Sequence, residues 1–397
     1  MPITDTPSLG RRFTLLGATT LTVMSGATIA PSLPALAAHF ADVPNAGLLV
    51  RLVLTMPALA IALCAPFAGV VADRIGRRRL LLSANVLFAV AGASGAVLNT
   101  LGAILVSRAL LGVAVAAITT ATMALAADYF SGAARDRFLG QQAAFAGLGG
   151  LVFLTAGGLA ADLHWRAPFL IYLVSFALLP AIATTIRDVP HGGHAAAVEP
   201  HDGIERAGLA ITLVLATAVL AMAAFYFLPT QLPFHLQDLG IHEAARAGLA
   251  IGFASSSSAV FSLAHGRMRA HLSRPALFAL GFAFVGTAYL MLAAARGYGT
   301  VMLAMPVVGA GMGTLWPNLM SSAMAAAPPA FRGRVAGALT ASIFLGQFVS
   351  PLLSQPIVAT AGVAAAFRAC AAVMVLASLA ALLLAWANAR RASTHLA

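Results

Sequence analysis

The 397 residues include no lysine, only 12 acidic residues, two cysteines and three tryptophans. Each shortage excludes something. Charged residues make up 9% of the chain, against about a quarter in a soluble globular domain. A chain of this size cannot hide so much apolar surface from water, whereas a bilayer removes the need to. Without lysine there is no Gly-x-x-x-x-Gly-Lys phosphate cradle, which excludes an ATP-driven step of that type. Cys64 and Cys370 both lie in apolar runs, where cysteine acts as a small apolar side chain rather than as half of a disulfide or a metal site. No acid falls in the middle of an apolar run. Asp42, Asp162, Asp238 and Glu243 read as lying on one side of the membrane, and Asp5, Asp73, Asp128, Asp136, Asp188, Glu199, Asp202 and Glu205 on the other.

What is present is apolar sequence in long stretches. Hydrophobic residues make up 60% of the chain, and about 20 apolar residues suffice for one crossing. Twelve stretches qualify: about 13–38, 47–71, 79–98, 101–126, 139–161, 167–186, 207–230, 246–264, 276–295, 300–325, 334–357 and 365–388. The first, which follows Arg11 and Arg12, runs too far for a signal h-region and lacks a clean cleavage site, so it reads as a spanning helix.

The net charge of +11 would suggest nucleic acid in a soluble protein. Here the arginines sit in short clusters between apolar runs, such as Arg77–Arg79, Arg267 with Arg269, and Arg332 with Arg334. That is the positive-inside pattern, which places both termini in the cytoplasm and gives no nucleic-acid groove. Short loops and tails point to a bacterial inner membrane. The longest polar stretch, 187–206, holds Pro190, Gly192, Gly193 and Pro200 with several acids. It reads as a cytoplasmic linker between six-helix halves 1–186 and 207–397. His191, His194 and His201 within it read as solvated rather than as metal ligands, so no metal and no other cofactor is expected.

After the second stretch comes Gly69-Val-Val-Ala-Asp73-Arg74-Ile-Gly76-Arg77-Arg78, and after the eighth the degenerate copy Gly266-Arg-Met-Arg-Ala-His-Leu-Ser273-Arg274. The first matches the loop signature Gly-x-x-x-Asp-Arg-x-Gly-Arg-Arg. With twelve spans and a central linker, the chain resembles the major facilitator superfamily along essentially its whole length. The resemblance implies an all-α membrane protein of two pseudo-symmetric six-helix bundles around a central cavity, working by rocking one half on the other. It implies a monomer in the bilayer that moves a small molecule. In this reading Gly69, Asp73, Arg74, Gly76, Arg77, Arg78 and Asp128 form a conformational latch. Gly69 admits a neighbouring helix, Gly76 permits a tight turn, and Asp73 pairs with Arg77.

Arg108, in Ile104-Leu-Val-Ser-Arg108-Ala-Leu-Leu-Gly112, lies within a span. An intramembrane arginine costs about 2.5–3.5 kcal/mol unless a cavity or partner receives it, so it is expected to face the cavity, with snorkelling as the alternative. Arg108 and Gly112 resemble the superfamily's helix-four motif, with Leu111 in place of its glutamine. In span five, Gly149, Gly157 and Gly158 keep the antiporter signature, but Phe153 and Leu154 replace its Gly-Pro. These glycines, with Gly112, serve close helix packing. Pro31-Ser-Leu-Pro34 is present in span one, but Ala27 stands where drug–proton antiporters often carry an acid. If transport is proton-coupled, the candidate carriers are then Asp128, an interfacial group such as Asp42, His235 or Asp238, or the substrate itself.

The substrate or coupling surface is expected to include Thr28, Arg108, Thr119, Phe153, Tyr226, Gln231, Trp316, Asn318 and Gln347, with Pro317 breaking its helix at depth. The resemblance leans toward proton-coupled export of a drug-like compound or metabolite, driven by the proton gradient. The rival is an importer or uncoupled facilitator of a nutrient such as a sugar or organic acid, and more remotely a non-transporting membrane sensor. No catalytic constellation suggests an enzyme.

Overall fold

The computed structural model describes residues 9–188, 204–328 and 331–394. The three linker histidines, and most of the expected linker, lie outside these residues. Among the described residues every regular element is helical, as a bilayer demands, because a helix satisfies its backbone polar groups within its own segment.

The helices are α1 (Leu9–Ala27), α2 (Leu33–His39), α3 (Ala46–Ile75), α4 (Arg77–Ala93), α5 (Leu101–Tyr129), α6 (Gly132–Leu163), α7 (Ala167–Leu170), α8 (Leu178–Thr185), α9 (Ile204–Asp238), α10 (Ala244–His271), α11 (Arg274–Ala293), α12 (Tyr298–Ala326) and α13 (Arg332–Thr394). Polar caps set several starts. Thr100 accepts from the Ala103 amide at the head of α5, and Ser273 accepts from Ala276 at the head of α11, where Pro275 occupies the first turn.

Eleven helical stretches among the described residues are long and apolar enough to cross a membrane. The last, Arg332–Asn388, is 57 residues long, more than twice the length one crossing needs. It bends at Gly362, whose φ of 82° interrupts the helical geometry, so α13 supplies two spans and the described residues hold twelve candidate crossings. Glycine enters this left-handed region without steric cost.

Two other expected spans are internally broken. Between α1 and α2 the chain passes through a 3₁₀ turn at Ala30–Ser32, where Pro31 and Pro34 deny the ladder two N–H donors. Between α7 and α8 a 3₁₀ run covers Ile171–Ala177, longer than the three or four residues usual for that geometry. By contrast α12 continues through Pro306 and Pro317, so the break expected at Pro317 is absent.

The chain forms two compact units, Met1–Glu199 and Pro200–Ala397. In the first, α5 packs against α3 and α4, and α1 packs against α6. In the second, α13 packs against α9 and α11, and α10 against α12. The Ser255–Ser258 run serves this last pairing. Ser255 and Ser256 bond carbonyls of their own helix, and the Ser257 hydroxyl donates to the Pro306 carbonyl.

Candidate functional site

The sharpest residue of the sequence turns out to be a helix cap. Arg108, two turns into α5, is fully buried. Its Nη2 donates to the carbonyls of Ala91 (2.8 Å) and Gly92 (2.5 Å). These belong to the last turn of α4, where carbonyls lack helical partners and the dipole is negative. The guanidinium lies 5.0 Å from the ring centroids of both Phe169 and Tyr172, adding cation–π attraction. Room for those rings comes from α4 and the turn after it. A Cβ at Gly92 would lie 2.5 Å from Tyr172 Cγ, and one at Gly95 would collide with the Phe169 ring. The expectation of a cavity-facing or snorkelling Arg108 is therefore corrected: its charge is received by carbonyls and aromatic rings inside its own unit, which offset part of its cost. Nε and Nη1 remain buried without hydrogen bonds.

The same cluster ties the two broken spans together. The Tyr172 hydroxyl, from the 3₁₀ run, donates to the Ser25 carbonyl at 3.1 Å, close to the end of α1. Ser175 bonds both the carbonyl and the side chain of Asn85 in α4. Thr28 is buried, donates to the Met24 carbonyl, and packs its main chain against Gly157 of α6. It is a packing residue rather than an open binding group. A Cβ at Gly112 would likewise collide with Pro57 and Ala60 of α3, one at Gly149 would lie 3.4 Å from Thr20, and Gly158 is buried.

At the α3–α4 turn, Gly76 adopts φ 90°. The expected Asp73–Arg77 pair does not form. Arg77 instead bonds Asp128 at the end of α5, and Ala124 O at 3.1 Å. Asp73 and Arg74 are exposed, and among the described residues Asp73 has no ion pair. The reason is direction: Asp73 lies in the last turn of α3, while Arg77 opens α4 beyond the Gly76 turn. Gly69 also departs from expectation, since a Cβ there would meet no atom within 4 Å. Asp188, read in the sequence as a linker charge, takes part in the loop by accepting from the Arg78 amide at 2.8 Å. It thereby caps the first turn of α4. Arg78 also reaches the Ala183 carbonyl, and Tyr129 bonds the main chain of Arg187.

In the second unit Gln231 is buried and donates to Ser354 at 3.0 Å. Ser354 lines an apolar groove of about 150 Å³ between α9 and the two limbs of α13, together with Phe227, Ser350, Ile357 and Cys370. One turn beyond Gln231, His235 bonds the Leu292 carbonyl at 2.9 Å. Asn318 is buried and its Nδ2 donates to Arg274 O, at the start of α11, while its Oδ1 has no hydrogen-bond partner among the described residues. Gln347 is also buried. Thr119, Phe153 and Tyr226 stay half-buried, and Trp316 is 40% exposed. Sequence reasoning missed Phe169, Tyr172, Ser354 and the capping role of Asp188. A buried tyrosine needs a partner for its hydroxyl, which is the one signal that could have singled out Tyr172.

Twelve apolar crossings packed in helical bundles, with no strand among the described residues, define a polytopic membrane protein. The family model described as Major Facilitator Superfamily matches residues 15–351 and 213–396, and the chain belongs to that family, whose members are transporters rather than enzymes. It is similar to the class C tetracycline resistance protein of Escherichia coli, at 28% identity over 87% of this chain and 89% of that one. It is also similar to the class D tetracycline resistance protein of Salmonella ordonez, at 27% identity over 84% and 86%. A crystal structure of the nucleoside transporter NupG shares the fold with a TM-score of 0.77 at 12% identity, over 96% of this chain and 99% of that one.

Proposed function

We propose that this transporter exports a small organic, drug-like or metabolite molecule from the cytoplasm in exchange for protons, using the proton gradient as its energy source. The observation that carries the reading is similarity along most of the chain to two proteins named for tetracycline resistance. A membrane carrier confers resistance by lowering the internal drug concentration, which requires outward movement against a gradient. The half-open residues proposed as substrate contacts are Thr119 and Phe153 in the first unit and Tyr226 and Trp316 in the second, each unit offering an aromatic face to a mildly polar compound. The protein works as a monomer in a bacterial inner membrane, with both termini in the cytoplasm as the arginine bias requires.

The test is proton release from acidified everted vesicles containing the protein, read with a pH-sensitive dye while tetracycline and a panel of drugs, sugars and organic acids are added. Vesicles without the protein run in parallel. Compound-dependent alkalinisation that needs the protein is expected. Silence across compounds that bind the purified protein overturns export by antiport and favours the importer or facilitator, a reading suggested by Ala27 in place of a helix-one acid.

A further inference from the structure

Proton-coupled transport needs a group that takes and releases a proton near neutral pH within the spanning region. Setting tyrosines and the thiols aside, the buried ionisable side chains among the described residues are Arg51, Arg108 and His235. Arginine does not give up its proton in proteins. Asp128 is engaged by Arg77. Histidine is the residue whose ordinary range lies between pH 5 and 8.

His235 is 3% exposed and stands one turn before the end of α9. Pro229 and Pro233 precede it within the helix and remove two ladder donors there. The Leu292 carbonyl can only accept, so Nε2 carries the hydrogen of the 2.9 Å bond. Nδ1 is then the unprotonated nitrogen, and it is buried without a hydrogen-bond partner. The ring packs at 5.3 Å against Phe367 of α13, which in turn meets Tyr289 of α11 at 5.5 Å. The ionisable groups around it are Asp238, exposed one turn further along α9, Tyr289, whose hydroxyl donates to Ala224, and Cys370. Arg296, beyond the end of α11, and Arg368, next to Phe367, are both exposed.

We propose that His235 Nδ1 is the proton-binding site of the transport cycle, and that binding the proton frees the Asp238 end of α9 from α11 and α13. This rests on the antiport reading. The step balances simply: hydronium gives its proton to the Nδ1 lone pair and leaves as water, Nε2 keeps its own hydrogen, and return of the same proton to water restores the neutral ring. An imidazolium sealed in this packing would be a buried charge with no bonded anion, which is costly. Proton uptake and exposure of the ring to water are thus one event, and the proline-weakened ladder is where the helix yields.

Two measurements test it. Hydrogen–deuterium exchange of the peptide covering residues 231–241, in the intact protein in nanodiscs and corrected for intrinsic rates, needs no substrate. It is expected to rise about tenfold as pH falls from 8 to 5, within the 5–150-fold range typical of coupled sites. In His235→Gln, which keeps a donor for Leu292, it is expected to stay flat. Proton release in the vesicle assay, with tetracycline as probe, is expected to fall in the same variant while downhill exchange of tetracycline persists. A flat wild-type exchange profile, an unchanged pH dependence in His235→Gln, or full proton release by that variant overturns the proposal. Silent wild-type vesicles overturn antiport instead, so the two failures are distinguishable.

Discussion

Replacing Gly157 by alanine tests whether the first unit is held by backbone contact. A Cβ at this position would collide with the Thr28 carbonyl oxygen and lie 2.9 Å from its carbon. The obstruction is main chain, so no side chain can rotate away. Overpacking of this kind costs about 1–3 kcal/mol, while removing a mid-helix glycine returns about 0.5–1 kcal/mol. The net expectation is a loss of about 0–2.5 kcal/mol, centred a little above 1. Gly140 lies on the same helix, and a Cβ there would meet no atom within 4 Å, so Gly140→Ala keeps only the gain of about 0.5–1 kcal/mol. Gly149→Ala, with Thr20 at 3.4 Å, falls between them. For units of this size each kcal/mol shifts the melting temperature by about 2–4 °C. Gly157→Ala and Gly140→Ala should therefore melt several degrees apart, on opposite sides of wild type. A thiol-reactive fluorophore reports the transition, because Cys64 and Cys370, the two cysteines, lie in helices that must separate on unfolding. A Gly157→Ala protein as stable as Gly140→Ala would refute the argument.

Arg108→Leu removes both the charge and the cap of α4. Losing two charge-assisted hydrogen bonds, each about 1.5–3 kcal/mol, is partly offset by relief of the roughly 2.5–3.5 kcal/mol cost of a membrane-buried arginine. The variant should be less stable by about 0–3 kcal/mol in the same melting assay, and one that melts well above wild type would rule out the cap. A double-mutant cycle of Arg77→Ala with Asp128→Ala should give a coupling of about 1 kcal/mol, as neighbours sharing a bond do. The corresponding cycle of Arg77→Ala with Asp73→Asn should give none, and coupling there would restore the pair that the geometry denies.

The crossings were legible in the sequence because hydropathy over about 20 residues reports the solvent directly. The bend at Gly362 was legible too, as a gap between apolar stretches at 357 and 365. The breaks inside spans one and six were not. Residues 167–186 are apolar throughout, and nothing in that composition separates 3₁₀ from α geometry. Arg108 announced itself by its cost. Its partners did not, because two of them are main-chain carbonyls, which carry no residue identity, and two are aromatic rings more than 60 positions away. Asp128 was identified as part of the loop network. The Arg77 partner was not legible, because the Gly76 turn, whose direction the loop motif does not specify, carries Arg77 away from Asp73 and toward Asp128.

The 3₁₀ run at Ile171–Ala177 bears on how well span six fits its surroundings. The span has 19 residues, Ala167–Thr185. As uniform α-helix it would reach about 28 Å, slightly less than the roughly 30 Å hydrocarbon core. At the longer 3₁₀ rise of about 2 Å per residue, the seven residues of the run extend it to about 32 Å. The irregular segment thus removes a hydrophobic mismatch that the bilayer would otherwise have to absorb by thinning. It does so in the stretch whose Tyr172 and Ser175 are fastened to α1 and α4. Converting this run to α-helix would shorten the span and pull both fastenings out of register together.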